Sequence, residues 1–386
     1  MNVLGNRVIK VLSSLRLCCT LLMLLGLLTW LGTLEQAEHG LYEVQRKYFE
    51  SYILFYDAGP ISVPLPGANL VMTLLFMNIV VGGIVRLRKT SKQLGVLIVH
   101  VGMLLLFTAG FIKLNYSEEG HVTLYEGDVS NTYQSYHRWE VAVSRALPDM
   151  TVKEWLIPEE QFLKAEADES LTFRSDDLPF DVVLSHVMGN SQLLRKGPMF
   201  EVDAPVIDGK YLQEEQRLPD AERNTAGVYV SLQESADDTQ VDALLWGRDV
   251  NPYRVDVDGV QWAVQLRRER YPMPFTIALD DFMKEEHPGT MMPKWFSSDV
   301  TVVEEGSPRT LRISMNEPLR NNGLVLYQAS WGPANSAPGT PLFSTLAVVR
   351  NPADQYPLYA CILIAIGLLL HFLRRLSSYI RAESRP

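Results

Sequence analysis

Cysteine is nearly absent from this chain of 386 residues, which carries only Cys18, Cys19 and Cys361. None lies between Tyr116 and Tyr356. That stretch can hold no disulfide and no cysteine-ligated metal, and about 240 residues suffice for an ordinary hydrophobic core instead. There is no C-x-x-C, so the chain is not itself a thiol oxidoreductase, and no C-x-x-C-H haem attachment site. A G-x-S-x-G elbow, a phosphate-binding glycine loop and an H-E-x-x-H zinc motif are also missing. Each part of the chain is short of one sign of charge. Between Tyr116 and Tyr356, 39 acidic residues face 21 basic ones, whereas the remainder holds 6 acidic and 14 basic. The net charge of −10 therefore hides an acidic part at −18 and a basic part at +8. Nucleic acid is excluded as a partner of the acidic part, because such binding needs clustered Lys and Arg.

The basic part is also the apolar part. Four runs, 17–34, 68–85, 94–112 and 357–373, lack Asp, Glu, Lys and Arg. Each reaches the roughly 17 residues that can cross a bilayer as a helix. Tyr356 and Tyr359 at the start of the fourth, with Arg374 and Arg375 at its end, are the aromatic and basic anchors expected at two interfaces. Lys and Arg in short loops resist translocation. Arg7, Lys10 and Arg16 precede the first run, Arg86, Arg88, Lys89 and Lys92 separate the second from the third, and Arg374, Arg375, Arg381 and Arg385 follow the fourth. With four spans all three sets fall on one side. A cleaved signal peptide is the competing reading of the first run. That run is long for one, no A-x-A site follows it, and its removal would spoil the charge pattern.

The expected architecture is a membrane protein with four transmembrane α-helices and a large β-rich extracytoplasmic domain between the third and fourth. Residues 1–34 are the cytoplasmic N-terminus and first helix, 35–67 an external loop, 68–85 the second helix and 86–93 a basic cytoplasmic loop. The third helix is 94–112, the external domain 113–356, the fourth helix 357–373 and a basic cytoplasmic tail 374–386. Both termini are cytoplasmic, and the membrane is the cell's inner or plasma membrane. The loop 35–67, rich in Tyr and Phe, reads as an amphipathic helix or loop on the outer surface.

Strand-like runs in the acidic part recur at 121–125, 180–184, 227–232, 260–266, 275–279, 300–303, 310–315 and 324–328, between Gly, Pro, Asn and Asp clusters. They predict a sandwich or open barrel. A short helix is expected near 153–164. Pro179-Phe180 and Pro274-Phe275 read as a weak internal echo, each opening a strand.

His100 stands inside the third run, about 9 Å from its start at Leu94 for a rise of 1.5 Å per residue. An ionisable residue at that depth faces a partner, a cavity or a cofactor. A neutral imidazole offers one nitrogen to a metal and one to a hydrogen bond, which suits an axial haem ligand. It equally suits a histidine that hydrogen-bonds a neighbouring span. His371 reads as interfacial, while His39, His121, His137, His186 and His287 have no ligand-like spacing. Trp139, Trp155, Trp246, Trp262, Trp295 and Trp331 read as core or interface residues.

Four motifs nevertheless occur in a telling order. Ser13-Ser14-Leu15-Arg16-Leu17 opens an apolar run ending Leu31-Gly32-Thr33-Leu34. His100-Val-Gly-Met-Leu-Leu-Leu is followed beyond the membrane by Glu126-Gly127-Asp128. Pro274-Phe-Thr-Ile-Ala-Leu-Asp280-Asp281-Phe282 precedes Pro293-Lys-Trp-Phe-Ser-Ser-Asp299. Asn316-Glu317-Pro318-Leu319-Arg320 precedes Leu326-Tyr327-Gln328-Ala-Ser-Trp331-Gly332. With these motifs the chain resembles the ResB (CcsB) family of cytochrome c biogenesis proteins, which act in the system II pathway.

The resemblance implies a non-autonomous subunit of a haem lyase complex. Such a subunit helps carry haem across the membrane and presents apocytochrome c for covalent attachment, beside a CcsA/ResC-type membrane partner. It implies haem b as a transient cofactor shared with that partner, with His100 as one axial ligand of the iron and no catalytic residue of the chain's own. A thiol-reducing thioredoxin-like protein is a further implied partner. The Trp-rich signature of the CcsA-type partner is absent, so the chain is not a fused synthetase. The lack of an external cysteine argues against direct reduction of apocytochrome thiols. A structural scaffold for the partner that touches no haem is the alternative.

Overall fold

Four stretches are helical, long enough and apolar enough to cross a membrane: Leu15–Glu50, Ala68–Val85, Ser91–Tyr116 and Tyr356–Glu383. By length and composition they are four candidate membrane spans. The computed structural model describes residues 3–58, 61–149, 151–163, 169–197, 201–234, 240–289, 293–333 and 340–383. It divides into two compact units, one made of Met1–Glu118 with Arg350–Pro386, the other of Glu119–Val349.

In the first unit α1 (Val3–Leu12) turns at Ser13 and Ser14 into α2 (Leu15–Val44). The first span therefore does not stop at residue 34. It runs on to Gly40, where φ 77° and ψ 167°, open to glycine but strained for other residues, break the helix. A π-helical turn, Gln45–Glu50, then folds back so that the fully buried Tyr48 donates its hydroxyl proton to Glu35 Oε2 at 2.6 Å. Lys47 Nζ donates to the other oxygen of Glu35 at 2.7 Å. The remainder of the loop is a β-hairpin, Ile53–Ala58 with Ile61–Pro66, so the expected surface helix or loop is replaced by a helix extension and two strands. The aromatic run that looked amphipathic is pinned from within by Glu35.

The second span begins as α3 (Ala68–Asn78) and ends as a π-helical segment, Ile79–Val85. The third is α4 (Leu94–Tyr116), whose 23 residues extend about 35 Å, against about 30 Å of hydrocarbon. The fourth is α5 (Tyr356–Glu383), ten residues longer at its end than the uncharged run. α4 and α5 meet backbone to backbone. A Cβ on Gly95 would lie 2.6 Å from Gly367 O, and one on Gly367 would lie 2.8 Å from Gly95 O. Gly102 repeats the contact one heptad on, 3.0 Å from Ala360 O. Lipid gives helices no hydrophobic reason to associate, so close approach at small residues supplies the attraction.

The second unit is β-rich. Its largest sheet runs in the order Ser307–Ser314, Pro293–Glu304, Val260–Glu286, Val129–Ala146, Glu118–Tyr125, Phe343–Arg350, Leu324–Gly332, Leu319–Asn321. Tyr253–Val257 pairs with Val260–Glu286, and Val152–Pro158 with Val129–Ala146. A four-stranded sheet, Gln240–Trp246, Gly227–Glu234, Phe180–Met188 and Leu171–Phe173, and the hairpin Ser191–Arg195 with Lys210–Glu214 complete the described strands.

Two cores result. Trp139, Val141, Phe180, Leu184, Val230, Trp262 and Leu266 build one, and Val122, Tyr133, Phe275, Ile277, Ile313, Leu326 and Leu346 the other. The strand Val260–Glu286 serves both, so the runs at 260–266 and 275–279 are one strand rather than two. The charged stretch between them looked like a break because Arg267 is charged, yet its side chain is buried. Its Nε donates to Glu140 Oε1 at 2.8 Å, and its Nη1 and Nη2 donate to Glu154 at 2.8 and 2.7 Å. Pro272 is tolerated at a register shift, where a missing N–H breaks no ladder.

Two other expectations fail for related reasons. The helix near 153–164 is the strand Val152–Pro158 and a short 3-10 turn, Glu159–Gln161, because pairing of Val152 to Pro158 against Val129–Ala146 overrides helical propensity. Residues 164–168 lie outside the described residues. Phe180 opens its strand but Phe275 sits in the middle of one, so the Pro-Phe echo has no structural counterpart.

Candidate functional site

His100 lies on the face of α4 that meets the end of the second span. A Cβ placed on Gly83 would sit 2.6 Å from His100 Cδ2, 2.9 Å from Cγ and 3.0 Å from Nε2, so the imidazole occupies the room that any other residue at 83 would fill. The π-helical segment Ile79–Val85 carries Gly83. A π turn inserts a residue into the helical repeat and re-aims the side chains beyond it, a device that recurs at functional sites.

The N-terminal corner anchors this segment from behind. Asn78, nearly buried, donates through Nδ2 to Leu12 O at 2.6 Å and Ser14 O at 3.1 Å. A Cβ on Gly82 would stand 3.3 Å from Ser13 Cα, and Arg86 Nη1 donates to Ser13 Oγ. The Ser13-Ser14 motif is thus the socket for the second span.

His100 Nδ1 is buried and has no hydrogen-bond partner among the described residues. His100 Nδ1 is closed off by the chain itself, as are His121 Nδ1 and His186 Nδ1, so a haem iron from outside the chain would have to meet His100 at Nε2. His371, by contrast, lies on α5 beside Gly95, its backbone N 2.8 Å from where a Cβ of Gly95 would be. It contacts Phe372 edge to face.

The motifs of the second unit converge on its second core. Gly127 N donates to Leu279 O at 2.8 Å, Leu279 N to Asp128 O at 3.1 Å, and Phe282 N to Glu126 Oε1 at 3.2 Å. The Glu126-Gly127-Asp128 turn is therefore the clasp of the Pro274–Phe282 strand. Fully buried Ser298 donates to Gln328 Oε1 at 2.7 Å, joining the third motif to the fourth, and its Oγ lies 2.8 Å from that of Ser344, whose own hydroxyl can donate to it. Phe282 stacks on Trp331 at 6.0 Å, and Lys284 Nζ stands 4.4 Å from the Trp331 ring centre. Asp299 and Arg312 form a bidentate pair at 2.6 and 2.8 Å. These contacts hold a framework together; they assemble no nucleophile, acid or base.

Sequence spacing gave no hint that two of the external histidines flank one tyrosine. His121 and His137, on adjacent strands, flank Tyr136, whose ring stacks on His121 at 4.8 Å. With Thr123, Gln134, Glu222, Arg268, Ser330 and Thr345, His121 and Tyr136 line an open cleft. Burial, helped by the charge of Arg268, lowers the pKa of His121 and brings that of His137 down to about 4. Both imidazoles are neutral at pH 7. Arg268 itself lies 3.9 Å from the ring centre of Trp139 and donates to the carbonyls of Glu222 and Asn224.

Residues 254–342, less than a quarter of the chain, match the model of the ResB-like family. Over that stretch the chain is similar to ResB-like proteins. The resemblance read from the third and fourth motifs is borne out there, since 274–282, 293–299, 316–320 and 326–332 all fall inside the match. The matched segment holds the whole of the long strand Val260–Glu286, the strands that follow it up to Leu324–Gly332 and much of the second core, including Phe275, Ile277 and Leu326. No curated protein matches the chain. His100 and its glycine seat lie outside the matched stretch. Nothing in the motif of the third span pointed to Gly83; the Gly82-Gly83 pair in an otherwise bulky apolar run was the one available signal.

Proposed function

We propose that this ResB-like chain takes part in cytochrome c biogenesis as a subunit of a system II cytochrome c synthetase. In this reading His100 holds the iron of haem b within the membrane, and a CcsA/ResC-type membrane partner supplies the other ligand. The observation that carries it is the seat of His100, an imidazole inside the third span whose ring lies against Gly83 of the second. Haem bound there would supply the vinyl groups to which the thiols of an apocytochrome C-x-x-C-H segment are joined. The work of the chain is positioning rather than acid and base chemistry. Its part is to orient the ligand ring from α4, to exclude water with apolar spans, and to offer the second unit as a surface for apocytochrome c.

The three basic sets on one side of four spans support cytoplasmic termini and an extracytoplasmic second unit in the inner or plasma membrane. The inner-leaflet depth of His100 then suits haem arriving from the cytoplasm. A thioredoxin-like reductant is needed as a separate protein, because Cys18, Cys19 and Cys361 all lie in α2 or α5.

The test is to co-express the chain with a CcsA/ResC-type protein, purify the complex and record haem spectra of wild type, His100→Ala and His100→Gly. The expected result is loss of haem absorbance in both variants and its return in His100→Gly when imidazole is added. Wild-type haem content and spectra in both variants would sink the ligand role. A scaffold that stabilises the partner without haem is then the reading that survives, favoured by the way the motifs of the second unit serve its own core.

A further inference from the structure

The geometry points to Gly83 as the positioning residue for His100, acting through the π-helical segment that the N-terminal corner holds in place. This rests on the ligand reading of His100 and adds to it a cause for the orientation of the ring. Three observations carry it. The Cβ of any other residue at 83 would come within 3.0 Å of three ring atoms, closer than real Cβ contacts allow. The segment bearing Gly83 departs from α-helix over Ile79–Val85, beginning one residue after Asn78. Asn78, Gly82 and Arg86 each contact the Leu12–Ser14 corner, so the segment is held on the side away from His100 and the ring has to adapt to it.

The glycines of the spans differ in a way that makes the inference testable. Gly110, also on α4, has nothing within 4 Å of an added Cβ and is a control of equal chemistry. Gly95, Gly102 and Gly367 meet backbone, so substitution there would test helix packing instead. Gly83 alone among the described glycines of the spans faces a histidine ring.

The experiment has a haem-free and a haem-loaded arm, both on the full chain. In the first, the purified haem-free chain in detergent is treated with diethyl pyrocarbonate, and carbethoxylation of His100 is followed by mass spectrometry. Gly83→Ala should expel the ring from its seat and raise the rate about tenfold, the scale on which displaced supporting groups alter a ligand. Gly110→Ala should leave it unchanged. Equal rates in wild type, Gly83→Ala and Gly110→Ala would overturn the seat.

In the second arm the complex with the partner is titrated with imidazole. His100→Gly vacates the seat, and added imidazole should restore the haem spectrum. The double variant His100→Gly with Gly83→Ala should need about ten times more imidazole. The same imidazole requirement in both would overturn the positioning role while leaving the ligand role intact. A wild-type haem spectrum in His100→Gly without imidazole would overturn the ligand role instead, and with it the positioning of a ligand, whatever the rates in the first arm.

Discussion

The two units are held together by different physics. In the membrane unit the closest contacts are between backbones, at Gly95, Gly102 and Gly367, and polar side chains are used sparingly, as Asn78 and Glu35 are. In the inserted unit large side chains fill two cores, and a buried arginine is neutralised by two carboxylates. Water drives apolar burial in the second case. Hydrocarbon does not, so the membrane unit depends on close approach at small residues. A small residue is therefore as decisive in one unit as a large one is in the other.

The largest expected effect breaks the membrane side of this comparison. Gly367→Leu would drive a side chain into Gly95 O and Val99, where backbone cannot yield. A loss of about 5 kcal/mol or more is expected, at the exceptional end for one substitution. It would be measured as loss of the monodisperse full chain after extraction, with Gly110→Ala as the silent control. Normal yield and melting temperature would show that α4 and α5 do not depend on their glycine contact.

Next in size is Arg267→Met in the inserted unit. It leaves Glu140, only 2% exposed, without its counter-charge, for a cost of about 3–5 kcal/mol. Glu140 is already pushed upward by burial, so its protonation would absorb part of that cost at acid pH. Denaturation followed by tryptophan fluorescence reports this unit, since six of the seven tryptophans lie in it. A change below about 1 kcal/mol would mean that the site takes up water.

The smallest effect is a pH dependence confined to the same unit. The pKa of His137 is lowered to about 4, by burial first and by Arg268 second, against the opposing charges of Glu119 and Asp220. The unfolded chain, with an ordinary histidine pKa near 6.5, binds the proton more readily. Stability is therefore fully present above about pH 6.5 and is lost as pH falls toward 4. His137→Gln should flatten that part of the melting-temperature profile. An unchanged slope would assign the acid sensitivity to other groups.

Much of the architecture was legible in the sequence because each medium imposes a period or a length. Four uncharged runs of sufficient length became four helices, and most alternating runs became strands. Local reading misled wherever the compensating partner lay far along the chain. The runs at 260–266 and 275–279 read as two strands, although Arg267 between them is paired to Glu140 and Glu154, 127 and 113 residues away. The run 153–164 looked helical because its pairing partner lies in another strand. The loop 35–67 looked amphipathic because of its clustered Tyr and Phe, and no local window shows that Glu35 accepts the hydrogen bond of Tyr48.

The candidate site divides the same way. His100 was visible as an ionisable residue in hydrocarbon, since its cost there is a property of the residue and its medium. The neighbour that seats it was not, because Gly83 has no side chain to signal its role and is recognised only by the ring that fills its space. The pairing of His121 with His137 across Tyr136 was equally hidden, as strand register decides it. Composition and spacing by themselves determined a basic apolar part, an acidic β-rich part and one histidine within the membrane, because solvent preference acts residue by residue. Only the tertiary structure decided which glycine meets that histidine, which carboxylates neutralise Arg267 and which motifs share a core, because those are contacts between segments far apart in the chain.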